Sequence, residues 1–570
     1  MPTHAGSSAR PATPGSAASS GGPSLWLVPI GGPALSPVEI PYCSAKPGGA
    51  VMGRHESCDL RLPVSAEQVS RYHVRFLRDG PVVRLVDLNS RWGTFVNGVR
   101  APAEQEVRLA EGDLIRVTPW TFTLSPTPSR RGLQAAEDSG NTMVRQVAPE
   151  TAQPLAQDML ALLLEGAAAI HASGDEKELA ERVIDAAVRG TGLHNAAMLR
   201  PVDMNGRYEV IASKLGMHGQ TGPSSFSRSL LNAAAGGQVA EVSGALGGNI
   251  SESMVQMKIN AAICVPLTLG GAPAAFLYLD SRGTLPTSLR PNASSFCVAL
   301  GRIASLALAN LKRITMEKRE AQFRAELDAA AVAQKWILPK RVSQFGPLAA
   351  IGESKPGQFV GGDFFDVVPL DGGKLGVGLG DVSGKGISAS VLMTAAQGFF
   401  NARVSDDPDI ARAVNALNRF VNPRRPANKF VTLWAGVIDP AAGTLRYVDA
   451  GHSYALLRRA NGTIEQLDVG GGLPIGIDED AEYQATETTI GPGDAVIVVS
   501  DGIIEQFGVT TDASGEREQF GVAKLSAAIA AEPDDPVAEL FKAVVAHAGT
   551  DKLADDATVV WVKWGPAQTA

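Results

Sequence analysis

Five aspartates in the last third of the chain raise the question of chemistry: Asp363, Asp381, Asp501 and the pair Asp555-Asp556. Asp363 lies in Val360-Gly361-Gly362-Asp363-Phe364-Phe365-Asp366, and Asp381 in Gly380-Asp381-Val382-Ser383-Gly384-Lys385-Gly386. Asp501 lies in Val498-Val499-Ser500-Asp501-Gly502, and Asp555-Asp556 directly precede Ala557-Thr558-Val559-Val560. Each stands beside glycine or a second aspartate at the end of an apolar run. Carboxylates brought together at strand tips repel one another unless a cation neutralises them. Oxygen donors with no Cys or His cluster favour the hard ions Mg2+ or Mn2+. Two such ions can share a carboxylate, acidify a water and stabilise the oxygen leaving phosphorus. The plainer alternative, that each Asp only makes a turn, fits any one of them. It fits poorly when the pattern recurs four times in one region.

The elements that must position these groups follow from periodicity. Between residues 345 and 564, strands are expected at 375–379, 431–438, 445–448, 454–458 and 495–499, with helices at 388–402, 409–420 and 536–548. Antiparallel sheets with helices outside would satisfy that order. Upstream, residues 1–24 are low-complexity and expected to be disordered. Residues 25–125 alternate in short runs broken by Gly, Pro and Asn, which reads as an all-β sandwich. Residues 126–154 read as a linker. Residues 155–313 read as an α/β domain, with helices at 159–171 and 176–189 and strands at 196–200, 209–212, 261–269 and 274–280. A long helix is expected over 292–336. Its charged, Ala-rich part suits pairing with a second copy or service as a connector, and residues 314–340 are assigned to it. The last domain is assigned to 341–566.

Composition excludes several classes. The chain has 570 residues, 51 Lys+Arg and 59 Asp+Glu, a net charge of −8, which gives no global pull towards nucleic acid or an anionic membrane. At 45% hydrophobic and 19% charged it is globular in composition. Cys43, Cys58, Cys264 and Cys297 show no CxxC spacing, so neither a zinc knuckle nor a disulfide scaffold is expected. The longest apolar runs, at 272–279 and 495–499, fall far short of the ~18 residues of a membrane helix, and the first residues lack a signal-peptide core. A cytoplasmic protein is expected.

The motifs VGGDFF, GDVSGKG, TLWAGVID, DAGHSYALL, LPIG, VSDGIIE and DDATVV follow one another over residues 326–562. This set resembles the stage II sporulation protein E-type phosphatases, the bacterial branch of the metal-dependent (PPM) serine/threonine phosphatases. The resemblance implies a β-sandwich flanked by helices with a Mn2+ or Mg2+ pair at one edge. It makes Asp381 the bridging carboxylate, with the Val382 carbonyl on one ion. It puts Asp501 and Asp555 on the other ion, Asp556 being the alternative for the second place. Asp363 would hold metal directly or through water. A water activated there would attack phosphorus in line, with no phospho-enzyme. Gly502 and Gly384 would permit close backbone approach, and Lys385 either meets the phosphate or is a solvated loop lysine. His452 is given a structural role over that of a general acid. Rival readings fail on spacing. A cysteine-nucleophile phosphatase needs Arg six positions after Cys, and Gly49, Val64, Gly270 and Ile303 stand there instead. Lys385 is followed by Gly386 and Leu379 replaces the first Gly, so this is no P-loop.

A second constellation is Gly53-Arg54, Ser70-Arg71-Tyr72-His73 and Asp87 to Gly98, including Trp92-Gly93-Thr94. Over 25–125 it resembles the forkhead-associated (FHA) domain, which binds phosphothreonine through loops at one end of a sandwich. A doubly charged phosphate suits a guanidinium fork and hydroxyl donors. The resemblance gives Arg54 and Ser70 the phosphate, Arg71 added charge, and His73 the role of bracing the loop from inside. Trp92 departs from it: the family has Asn there, contacting the peptide backbone beside the phosphothreonine. Ile263 to Leu267 and Gly270 to Asp280 look like the central strands of a GAF domain over 155–313, a family that encloses a small molecule or dimerises. No ligand follows, and Cys264 reads as a core thiol. Thr127 and Thr142 are candidate phosphothreonines for binding in cis.

The expectation is a multidomain chain: an all-β FHA sandwich, an α/β GAF domain, a long connecting helix and an α+β PPM-type sandwich flanked by helices. Its expected function is a two-ion protein serine/threonine phosphatase acting on a phosphorylated regulator such as an anti-sigma-factor antagonist. FHA would recruit a phosphothreonine protein, and a homodimer would form through GAF and the connecting helix. The competing readings are a catalytically silent phospho-dependent scaffold and a nucleotide cyclase, whose motifs the Asp381 and Asp501 segments do not fit.

Overall fold

The computed structural model describes residues 24–42, 48–63, 66–129, 132–135, 144–147, 157–214, 226–243, 259–282, 289–357, 360–384, 386–426, 429–467, 472–511, 517–530 and 534–565. Residues 1–23 of the expected disordered segment, Cys43, Thr142 and Lys385 lie outside them. The chain divides into two units, Met1–Glu320 and Ala321–Ala570.

The first unit begins with a sandwich of two sheets. One orders Val38–Glu39, Trp26–Gly31, Trp120–Ser125, Leu114–Val117, Phe95–Val96 and Val99–Arg100; the other orders Leu60–Arg61, Ala50–Gly53, Val74–Asp79, Val82–Asp87 and Glu106–Leu109. Alternation makes this possible. In Val82–Asp87 every second residue is buried, so one face joins Leu27, Phe76, Ile115 and Phe122 in a common core.

A seven-stranded antiparallel sheet follows, built on Asn195–Pro201, Arg207–Lys214, Val239–Ser243, Ile259–Leu269 and Ala272–Arg282. Helices Gln157–His171 and Glu176–Thr191 and the start of Ala293–Ile337 pack against it through Leu163, Val183, Ile184, Phe296 and Leu300. Asp175 caps the second helix by accepting from Glu178 N–H at 2.8 Å, and Gly192 ends it in the left-handed region. The edge strands correct the expected linker. Leu133–Gln134 pairs with Arg207–Lys214, and Arg145–Val147 with Val239–Ser243. Strands of two or three residues carry no periodic signal. Helix Ala293–Ile337 contains an 18-residue window of mean hydropathy 1.4, apolar enough to span a membrane, and half of that window is buried inside the protein.

The second unit is a four-layer sandwich. A six-stranded sheet orders Val342–Phe345, Leu348–Lys355, Ala557–Trp564, Ala495–Val499, Ala455–Arg458 and Ile464–Gln466. A five-stranded sheet orders Asp363–Pro369, Leu375–Val382, Val431–Asp439, Thr444–Ala450 and Thr486–Thr489. Their facing sides share Phe365, Leu379, Trp434, Leu457, Val498 and Val560. Helices Ile387–Asp406 and Ile410–Val421 cover the five-stranded sheet, and Gly521–Ala530 and Pro536–Ala548 the other. The expected antiparallel sheets with outer helices are thus present.

Candidate active site

The five aspartates converge from both sheets. Asp363 opens its strand directly opposite Asp381 in the neighbouring one. Asp501 begins the short helix Asp501–Ile504 that follows strand Ala495–Val499, while Asp555 and Asp556 precede Ala557–Trp564, the strand paired with it. The two sheets are joined here: Thr558 Oγ1 donates to Asp363 Oδ2 at 2.7 Å. Asp556 accepts the Gly357 N–H at 2.8 Å on Oδ1 and the Gly362 N–H at 2.5 Å on Oδ2. It therefore clasps the loop that leads into Asp363. Gly502 is required for close approach, since a Cβ there would lie 1.9 Å from the Asp556 carbonyl oxygen.

The electrostatics are those of carboxylates sharing one small volume. Burial, then the charges of Asp381 and Asp556, push the Asp363 carboxyl well above the usual carboxylate range. Burial, then Asp501 and Asp556, push Asp381 up to about 7. Burial, then Asp555 and Glu505, raise Asp501 as well. Asp363 is buried, and its Oδ1 has no hydrogen-bond partner. A buried acceptor without a partner is costly. The donor set is all oxygen, which fits a hard divalent cation. Among the described residues no three His, Cys, Asp or Glu side chains already stand as a finished ligand set. The fit therefore rests on the orphaned oxygen and the mutual repulsion.

A cavity of about 210 Å³ opens on this cluster, with Asp381 and Asp501 in its lining together with Thr432, His452, Tyr454 and Glu505. His452 is buried. Its Nε2 faces the Val499 carbonyl at 2.9 Å and its Nδ1 faces Thr432 Oγ1 at 3.2 Å. A carbonyl can only accept, so Nε2 carries the proton and Nδ1 accepts from Thr432. Burial lowers this imidazole to about 4, against the opposing pull of the Val499 carbonyl. His452 is neutral and braces the turn, as expected from sequence.

Sequence reasoning missed two groups. Gln334, near the end of helix Ala293–Ile337, grips both backbone groups of Gly361: Nε2 donates to the carbonyl at 2.9 Å, and Oε1 accepts the N–H at 3.1 Å. Lys429 is buried and donates to the Ser383 carbonyl at 2.7 Å, one residue beyond Val382. Neither belongs to a spacing pattern that a sequence could show.

In the first unit, the loops bearing Arg54, Ser70 and Arg71 are brought together as expected. Arg54 N–H donates to Ser70 O at 3.3 Å, His55 N–H to Arg71 O at 3.1 Å, and Arg91 N–H to Ser70 Oγ at 3.2 Å. Gly53 allows this, because a Cβ would meet Arg71 O at 2.2 Å. His73 is buried. Its Nδ1 accepts the Ser70 N–H at 3.1 Å and its Nε2 faces Gly93 O at 3.4 Å, which is the internal brace expected of it. Burial lowers its pKa, opposed by the Gly93 carbonyl. Cys264, expected in the core, is buried, and burial raises its thiol pKa.

Comparison with known proteins bears on both regions. Residues 371–565 match the family model of stage II sporulation protein E (SpoIIE), and residues 50–118 match that of the FHA domain. The chain carries a SpoIIE-type domain with an FHA domain on its N-terminal side. It is 25% identical over 192 residues to phosphoserine phosphatase RsbU of Bacillus subtilis, covering 34% of this chain and 57% of RsbU. It is 46% identical over 70 residues to the FHA domain-containing protein FhaA of Mycobacterium tuberculosis, covering 12% of each chain. The SiaA-PP2C domain of Pseudomonas aeruginosa superposes with a TM-score of 0.38 at 19% identity, covering 43% of this chain and 98% of that one. The chain thus spans little more than half of RsbU, and 43% of Synechocystis protein IcfG, which it matches at 24% identity over 280 residues and 44% of its own length.

Proposed function

We propose that this chain is a divalent-cation-dependent protein phosphatase that hydrolyses phosphoserine or phosphothreonine on a bacterial signalling protein, of the kind of an anti-sigma-factor antagonist. The carrying observation is the cluster of Asp363, Asp381, Asp501, Asp555 and Asp556, two of which, Asp381 and Asp501, line one cavity, with a buried carboxylate oxygen on Asp363 that lacks a partner. The similarity to RsbU, a phosphoserine phosphatase, points the same way.

Two Mn2+ or Mg2+ ions would be held by Asp381 as shared ligand, by Asp363 and the Val382 carbonyl on one side, and by Asp501 with Asp555 or Asp556 on the other. When bound, the pair supplies positive charge at the phosphoryl oxygens and a water acidic enough to attack at neutral pH. The protein's own contribution is arrangement. Asp556 and Gln334 hold the loop that sets Asp363. Neutral His452 keeps its proton on Nε2 against Val499 and so is not the acid for the leaving oxygen. Ser453, Tyr454 and Glu505 complete the cavity wall.

The same proposal extends to the other domains. The FHA loops would recruit a phosphothreonine protein through Arg54, Ser70 and Arg71. The seven-stranded domain would be a GAF-type sensor, binding a small molecule or dimerising. Exposed Leu160, Leu164 and Leu306 on its helices supply apolar surface for a second copy. Helix Ala293–Ile337 would carry the signal. Its Arg319 reaches Asp113 of the sandwich at 3.3 Å, and its Gln334 holds Gly361. The protein would act in the cytoplasm. The deciding assay is hydrolysis of a phosphoserine and phosphothreonine peptide panel by the full chain with Mn2+ or EDTA. Turnover that needs metal and is lost in Asp381→Asn supports the reading. Silence with every peptide in Mn2+ returns the scaffold reading.

A further inference from the structure

Asp363, Asp381 and Thr432 form one row across three neighbouring strands of the five-stranded sheet. Asp381 stands directly opposite Asp363 on one side and Thr432 on the other. Side chains of directly opposed residues share a face, so Thr432 continues the acidic row. The Asp363 end of the row is tied to the six-stranded sheet by Thr558 and Asp556. The Thr432 end is tied to it by His452. Thr432 Oγ1 meets Nδ1 at 3.2 Å, and Nε2 donates at 2.9 Å to the carbonyl of Val499, two residues before Asp501. His452 lies in the turn between Thr444–Ala450 of one sheet and Ala455–Arg458 of the other. That turn is held tightly. Asp449 accepts the N–H groups of His452 at 2.7 Å and Ser453 at 2.9 Å, and the Val499 N–H donates to the Tyr454 carbonyl at 3.1 Å. Ser453 is kept at a φ of 66°, in the left-handed region that a residue with a Cβ seldom takes. Thr432, His452 and Ser453 line the same cavity as Asp381 and Asp501.

We propose that His452 is a positioning residue: its imidazole is a strut between Thr432 and Val499 that sets the Asp381 side of the cation site against the Asp501 side. The inference rests on the two-ion reading above and goes beyond it by assigning the group that keeps the two halves in register. The apolar core between the sheets is non-directional and permits small slides. Cation ligands must be placed to within about 0.2 Å, so directed contacts are needed where the ligands come from both sheets. An imidazole suits this task because it is rigid and carries an acceptor and a donor on either side of one carbon. Filling the turn alone would require neither bond, and the two bonds end on different sheets.

The test is calorimetric titration of the full chain with Mn2+, with electron paramagnetic resonance of the loaded protein and scanning calorimetry in EDTA to establish folding. The wild type is expected to take two Mn2+ and to show the spectrum of an exchange-coupled pair. His452→Phe keeps a ring and loses both bonds, so Mn2+ affinity is expected to drop about tenfold, with loss of the coupled spectrum. Thr432→Val removes one bond at nearly constant volume and is expected to give about a threefold drop. His452→Gln, whose amide also presents an acceptor and a donor on either side of one carbon, is expected to restore affinity and spectrum. If folded His452→Phe and Thr432→Val bind Mn2+ as the wild type does, with the coupled spectrum intact, His452 only holds the turn; the inference falls and the two-ion reading stands. It falls also if folded His452→Gln shows the same loss as His452→Phe. If the wild type takes no second Mn2+, both fall.

Discussion

The carboxylate cluster should make the metal-free catalytic unit less stable as pH rises through the acid range. Asp381 is raised from its usual 3.8 to about 7, chiefly by burial and by Asp501 and Asp556. The native protein thus keeps this proton up to about pH 7, whereas the unfolded chain releases it near 3.8. Between those values the native state binds more protons than the unfolded state, so stability falls with rising pH and levels off above about 7. At about 1.4 kcal/mol for each pH unit the loss across this window is about 4 kcal/mol. In a unit of this size that lowers the unfolding midpoint by about 10 °C. The assay is differential scanning calorimetry of the full chain in EDTA between about pH 4 and pH 8, following the transition that Mn2+ shifts. Asp381→Asn removes the titrating group, so its transition should lie above that of the wild type at pH 8 without metal and depend less on pH. A wild-type midpoint that stays level or rises across this range would refute the reasoning, as would an Asp381→Asn protein that keeps the full slope.

Five further outcomes are expected. Gln334→Ala leaves both backbone groups of Gly361 without their side-chain partner; Mn2+ affinity by calorimetric titration should drop about tenfold, a loss of about 1.4 kcal/mol for two hydrogen bonds. Gly502→Ala places a carbon 1.9 Å from the Asp556 carbonyl, so the helix start must shift and phosphatase turnover should fall below a hundredth of wild type. His452→Phe leaves the Val499 carbonyl unpaired and should cost about 1–3 kcal/mol in chemical denaturation. Because burial holds His452 at about 4, the wild-type pH–rate profile should show no histidine limb near pH 6.5. Gly53→Ala drives a carbon against Arg71 O and should abolish phosphothreonine peptide binding while leaving turnover of a short phosphoserine peptide unchanged.

Legibility in the sequence followed the strength of local signals. Strand Ala495–Val499 is an unbroken apolar run between Gly-Asp and Ser-Asp, and its limits agree with expectation. Helix Pro536–Ala548 also agrees, because Asp535 caps it, Pro536 starts it and Gly549 ends it in the left-handed region. Helix Gly521–Ala530 was not foreseen; it opens on glycine with no acidic residue in its first turn. The short edge strands at Leu133–Gln134 and Arg145–Val147 were missed because two or three residues cannot display a period. At the candidate site the acidic residues were legible from their motifs, since each aspartate lies beside glycine or another aspartate at a strand end. Their division of labour was not. Asp555 and Asp556 are neighbours in sequence, yet Asp556 spends both oxygens on backbone N–H groups of the loop before Asp363, while Asp555 is the charge felt most strongly by Asp501.

That loop shows why composition and spacing reach only part of a site. Asp363 is set from two sides, by Asp556 at the mouth of a strand in the other sheet and by Gln334 on the connecting helix. Both contacts are made to backbone atoms of glycines, so neither leaves a complementary residue pair in the sequence. Both also act on the segment that presents the buried carboxylate with the orphaned oxygen. A small displacement of the helix end would release the Gly361 carbonyl and N–H together, because one amide side chain holds the two. The Asp556 clasp on Gly357 and Gly362 would remain. The setting of Asp363 therefore depends on two contacts that lie outside the ladders of either sheet.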